Sequence, residues 1–168
     1  MTLADLNRMS KDAFVSALGG IFEHSPWVAE RAFPDRPFPT VDALHAAMAS
    51  AVRRAVDSER MALVRAHPEL AGRAALRGDL TTHSSNEQSD AGLRNCSAEE
   101  LARITELNAR YKAKFGFPFI MAVKGYGRAE IIAEFARRID QDRATELREC
   151  LAQIDKIARF RLDALISR

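Results

Sequence analysis

The chain has few of the residues that would mark it as a disulfide scaffold, a zinc protein or a membrane protein. Its two cysteines, Cys96 and Cys150, stand alone without CxxC or CxxH spacing. That argues against a disulfide framework or zinc site and points to a reducing compartment. No stretch approaches the roughly 20 apolar residues of a membrane span. The amino-terminal MTLADLNRMSKDAF lacks the apolar core of a secretion signal. Neither sign of charge is in large excess, with 25 basic and 23 acidic side chains and a net charge of +2. Arg53-Arg54 and Arg137-Arg138 are isolated doublets that read as solvated helix faces, so no basic face for nucleic acid is expected. His24, His45 and His83 are scattered, and no HxxxH or HExxH spacing, phosphate-binding glycine loop or glycine-flanked nucleophilic serine occurs.

What is present is helical periodicity along nearly all of 168 residues, 47% of them hydrophobic, which is enough for one domain spanning 1–168 with a real core. Ser10 can cap a helix carrying Phe14, Val15 and Leu18, closed by Gly19-Gly20, and Ser25-Pro26 can open a short one at Trp27. Thr40 can open a longer helix with Val41, Leu44, Met48, Ala51 and Val52 on one face. Ser97-x-x-Glu100 is a capping box before Leu101, Ile104, Leu107, Tyr111 and Phe115, which Gly116 ends. A last helix from about Asp142 to Leu165 is long enough to be the spine of a bundle. The fold class expected is all-α, a single-domain helical bundle with a short extended segment near 117–123. That segment, FPFIMAV, follows a glycine, contains Pro118, and leaves backbone N–H and C=O groups without helical partners.

Chemistry concentrates between Arg65 and Leu93. Pro68 pushes His67 out of the α region, so the helix carrying Met61, Leu63 and Val64 should stop near His67. At a helix C-terminus the imidazolium is favoured, which suits a proton donor as well as an ordinary C-cap. Further on, Ser84-Ser85-Asn86-Glu87-Gln88 contains two overlapping capping patterns, Ser84-x-x-Glu87 and Ser85-x-x-Gln88, that would start a helix there. Its free amides could receive an anion or a polar heterocycle.

HPELAG, SSNEQSDAGL, YKAKFGFPFIMAVKG and the closing IARFRLDALI together resemble the OHCU decarboxylase family, from about Phe14 to Ile166. Those enzymes act on 2-oxo-4-hydroxy-4-carboxy-5-ureidoimidazoline in urate breakdown, giving (S)-allantoin. The resemblance implies an all-helical fold and a carboxy-lyase that uses neither metal nor organic cofactor. His67 would be the proton donor, with Glu87 as its acidic partner. Arg161 would be a site arginine, although on residue pattern alone it reads as a surface arginine of the last helix. Pro68, Ser84, Ser85, Asn86, Glu87 and Gln88, with the backbone of Phe119, Ile120, Met121, Ala122 and Val123, would line the substrate pocket. The partner expected is a small ureidoimidazoline, with no nucleic acid and no membrane. The long apolar helix and Trp27 allow a symmetric homodimer. The closing Leu165-Ile166-Ser167-Arg168 is not a peroxisomal tripeptide, and a cytoplasmic location is expected. Without the resemblance, a non-catalytic helical binding module with His67 and Glu87 as mere caps accounts for the same residues.

Overall fold

The structure, a computed structural model, describes residues 1–72 and 79–167. Among them all regular structure is helical and no strand occurs, as the periodicity predicts. The α-helices are α1 (Leu3–Arg8), α2 (Lys11–Leu18), α3 (Trp27–Ala32), α4 (Val41–Arg54), α5 (Asp57–Ala66), α6 (Thr82–Asp90), α7 (Ala98–Phe115), α8 (Arg128–Arg138) and α9 (Arg143–Leu165). The residues fall into two compact units, Met1–Ala66 with Asp155–Arg168, and His67–Ile154. Helix α9 therefore contributes its first half to the second unit and the remainder to the first. No described helix is long and apolar enough to cross a membrane.

In the first unit the caps read from sequence do their work: the Ser10 and Thr40 hydroxyls accept from the Ala13 and Ala43 amides. Ser25 departs from expectation. Its hydroxyl donates to the Glu23 carbonyl, and Pro26 occupies the N-cap of α3 without a side-chain bond. Leu6, Phe14, Leu18, Val28, Leu44, Met48, Ala158 and Leu162 are fully buried. The Phe14 ring meets Phe33 edge-on at 5.5 Å and stacks near Phe38 at 6.2 Å. The Asn7 amide pairs in both directions with the Phe38 backbone, which fixes the proline-rich connector after α3 to α1.

The second unit is built on α7. Ser97 and Glu100 form the capping box, and Gly116 ends the helix at φ +76°, a left-handed value that glycine adopts without strain. Ile104, Leu107, Tyr111 and Phe115 are the buried stripe. Against it lies the run 117–123, every residue buried and neither helix nor turn from Pro118 to Val123. Phe119 stacks on Phe135 of α8 at 3.9 Å and meets Tyr111 edge-on at 5.5 Å.

Helix α8 contains the second arginine doublet, and its two members differ. Arg137 pairs with Glu134 at the surface, as a solvated face requires. Arg138 does not: it is 0% exposed, as is its partner Glu146. Burial by itself would lower the Arg138 pKa, and the hydrogen-bonded Glu146 carboxylate more than offsets that, so the guanidinium stays charged. Tyr111 donates its hydroxyl to the same carboxylate, and its pKa is driven well up, first by burial. Burial also pushes the Cys150 thiol up to about 11, against opposing contributions from Tyr111 and Arg138, so this sulfur is a packed neutral group.

In the first unit, His45 Nε2 lies 3.0 Å from both the backbone oxygen and Oδ1 of Asp155. Both oxygens are acceptors within reach of that nitrogen. Asp155 raises the His45 pKa, against partial desolvation and the nearby Arg159 cation. The folded pKa therefore exceeds the unfolded value of about 6.5. The stabilisation is complete below that value and disappears as pH rises through the folded pKa. His45→Gln is expected to lower the melting temperature clearly at about pH 5.5 and only slightly at about pH 8.5, checked by thermal unfolding at both.

Candidate active site

Helix α5 ends at Ala66, where Pro68 requires it to end, and His67 follows, 7% exposed. The turn after it is held by side chains from two helices. The Ala71 amide donates to Gln88 Oε1 at 2.9 Å, and Gln88 Nε2 donates to the Glu69 carbonyl at 3.3 Å. Asn108 Nδ2 of α7 donates to the Leu70 carbonyl at 2.9 Å. Ala71 has φ +47°, a left-handed conformation costing roughly 1–2 kcal/mol for a residue with a Cβ. The bonds to Gln88 and Asn108 are what hold the chain there.

The helix that supplies Gln88 starts earlier than its sequence suggests. Thr81 is the N-cap, accepting from the Ser84 amide, and α6 runs Thr82–Asp90. Ser84 and Ser85 are therefore not caps, and the segment 84–88 is helix interior, not a helix start with free amides. The tandem pattern has another cause: Ser84, Glu87 and Gln88 are three and four residues apart and share one face. Ser84 and Gln88 are buried and Glu87 half-buried, whereas Asn86 is exposed. Ser85 turns aside to accept from Arg94. Through Gln88, the face carrying Glu87 is joined to the turn that follows His67.

The run 118–123 is fixed along one side only. Arg138 Nη1 donates to the Ile120 carbonyl at 2.7 Å, and the Ala122 amide donates to Gln153 Oε1 at 2.9 Å. These residues are two apart, the spacing of one edge of an extended chain. The expectation that this backbone is free for a ligand therefore fails at Ile120 and Ala122. The N–H and C=O groups of Phe119 and Met121 take no hydrogen bond from a described residue. Helix α7 supports both parts of the second unit's site, since Asn108 holds Leu70 and Tyr111, one turn on, packs against Phe119.

Arg161 belongs to the first unit and is not a surface arginine. It is 3% exposed, and its Nη1 donates to Glu23 Oε2 at 2.8 Å and lies 3.3 Å from the Gly20 carbonyl. Glu23, itself 2% exposed, is a partner that sequence reading missed. Among the described residues no group of three or more His, Cys, Asp or Glu side chains could hold a metal ion.

A family model described as OHCU decarboxylase matches residues 7–163. The chain belongs to the OHCU decarboxylase family. It is 43% identical over 162 residues to the 2-oxo-4-hydroxy-4-carboxy-5-ureidoimidazoline decarboxylase of Haloferax volcanii, covering 96% of this chain and 94% of that one. The human protein called a putative decarboxylase of the same substrate is 37% identical, over 99% and 96% of the two chains. A crystal structure of an (S)-allantoin synthase superposes on 99% of this chain and 54% of that one, with a TM-score of 0.80 and 30% identity. A crystal structure of an OHCU decarboxylase in the presence of (S)-allantoin shares the fold, with a TM-score of 0.72 over 95% of this chain and all of that one, at 24% identity.

The span matching the OHCU decarboxylase family contains every residue from His67 to Arg161 discussed above, and also Glu23; the sequence did not single out Glu23, Asn108, Glu146 or Gln153, and it read Arg138 as part of a solvated face. The turn predicts its own sensitivity. Gln88→Leu leaves the Ala71 amide and Glu69 carbonyl without their partner and is expected to cost roughly 1–3 kcal/mol of stability. Asn86→Ala, on the exposed face of the same helix, should cost under about 0.5 kcal/mol. Denaturant unfolding of the two variants compares them directly.

Proposed function

We propose that this chain decarboxylates 2-oxo-4-hydroxy-4-carboxy-5-ureidoimidazoline to (S)-allantoin, with 1–168 as one catalytic domain and His67 as proton donor. The observation that carries the reading, within a chain of this family, is Gln88: it ties the turn after His67 to the helix face bearing Glu87.

The substrate contains its own electron sink. When the bond to the carboxylate breaks and CO2 leaves, its electron pair forms a C=C bond to the ureido-bearing carbon, the C=N pair moves onto nitrogen, which takes up a proton, and an enol remains. Return of the carbonyl then releases the enol hydroxyl proton as the ureido-bearing carbon takes one up. No pyridoxal phosphate, thiamine or metal is required for that sequence. The enzyme must hold the carboxylate out of the ring plane and deliver the proton to one face. His67, nearly excluded from water, performs that delivery with Glu87 as its acidic partner. Pro68, Ser84 and Gln88 line the pocket, the last two from the buried face of α6, while Ser85, turned to Arg94, and the exposed Asn86 are withdrawn from it. The backbone N–H and C=O groups of Phe119 and Met121, with the Val123 amide beyond them, face the ring ureide; the Val123 carbonyl already accepts from the Tyr126 amide.

Arg161 orients the substrate and stabilises developing charge on oxygen. A strongly bound carboxylate would resist becoming CO2, so a bare cation there would hinder reaction. Pairing with Glu23 offsets the guanidinium charge, which leaves Arg161 an oriented donor with a weak electrostatic hold. The enzyme works in the cytoplasm, and half-buried Trp27 is compatible with a symmetric homodimer.

The test generates the substrate in situ from urate with purified upstream enzymes and follows chiral allantoin by circular dichroism. The wild-type chain should produce optical activity faster than the uncatalysed background. His67→Asn should abolish that excess with the far-ultraviolet spectrum and melting temperature unchanged. Near-normal turnover in this variant would remove His67 from the mechanism.

A further inference from the structure

An extended segment ordinarily keeps its shape by pairing with a neighbouring strand. The run 118–123 has no such neighbour, since no strand occurs among the described residues. The bonds that a strand would supply come from two side chains. Arg138 serves the Ile120 carbonyl and Gln153 serves the Ala122 amide, from α8 and α9 respectively.

Both side chains are oriented by partners of their own. Gln153 Nε2 donates to Glu149 Oε1 at 2.7 Å, which directs its oxygen toward Ala122. Arg138 Nε donates to Glu146 at 2.9 Å, and its guanidinium stands over the Phe119 ring at 4.4 Å. The bonded groups belong to residues 120 and 122, while 119 and 121 present the opposite edge.

We propose that Gln153 and Arg138 are positioning residues, a two-side-chain substitute for a partner strand that fixes residues 119–123 so that their opposite edge can hold the cyclic ureide. The proposal rests on the decarboxylase reading above. Neither side chain touches the substrate. Losing the bond to Ala122 lets the edge shift, which weakens ring binding more than it slows chemistry.

Gln153 is the residue to vary, because removing one partner of the buried Arg138–Glu146 pair would leave an uncompensated buried charge and endanger the fold. Gln153→Leu should raise KM about three- to tenfold, the worth of one neutral hydrogen bond, with kcat and the pH profile nearly unchanged. If leucine is not tolerated, Gln153→Asn withdraws the acceptor by one carbon and should raise KM likewise. Gln153→Glu alone faces Glu149 and should be impaired, whereas the reciprocal double variant Glu149→Gln with Gln153→Glu restores both acceptor and donor and should recover the wild-type KM. Thermal unfolding and amide exchange at Ala122 accompany the kinetics. Wild-type KM in the folded leucine or asparagine variant, or a double variant no better than Gln153→Glu alone, would overturn the clamp while the decarboxylase reading stands. A wild-type chain without activity would overturn both.

Discussion

Arg138 and Glu146 carry opposite charges in a place that water does not reach, and the second unit is arranged around making that tolerable. The carboxylate is bonded by Arg138 and by the Tyr111 hydroxyl, and Gln141 donates to its other oxygen at 3.1 Å. The guanidinium spends a remaining donor on the Ile120 carbonyl. A buried pair is a weak source of stability compared with apolar packing, because desolvation offsets most of its Coulomb energy. Its value here is directional. It defines where an irregular, wholly buried stretch of backbone must lie, which apolar packing of Phe117 and Phe119 alone would leave open to sliding.

The helices were largely legible because their starts and stops are written in local chemistry. Ser10, Thr40, Ser97 and Gly116 act at the positions where short-range rules put them. Helix α8 was missed because its buried residues, Ile131 and Phe135, make a short stripe that ends on a buried arginine. The last helix teaches the same point more clearly. Its buried positions include Glu146, Cys150, Gln153, Ile154, Ala158, Arg161 and Leu162, so three polar residues fall in phase with the apolar ones. That phase was available in the sequence. Reading only the apolar residues of the stripe hid it, and Arg161 was consigned to the surface in consequence.

Around the candidate site the backbone breaks were legible and the geometry less so. The break at Pro68 and the non-helical run 118–123 both follow from backbone restriction, and both stand in the structure. The reading of Ser84 as a cap failed because Thr81 takes that role three residues earlier, and either serine would have served as well by propensity. No pattern in one sequence could reveal that Gln88 holds Glu69 and Ala71, or that Glu23 faces Arg161 across 138 residues of chain, since those contacts depend on the tertiary fold.

The first unit is interrupted in sequence: residues up to Ala66 are completed by those from Asp155 onward. A ribosome extruding this chain releases Glu23 and His45 long before Arg161 and Asp155, the groups that satisfy them. Domains commonly fold in order of emergence, but this one must wait for its last helix. Until then the nascent amino-terminal segment carries a carboxylate destined for burial without the Arg161 guanidinium that it meets in the folded chain. The 88 residues from His67 to Ile154 have all their own pieces in hand first. The second unit is thus equipped to fold before the first.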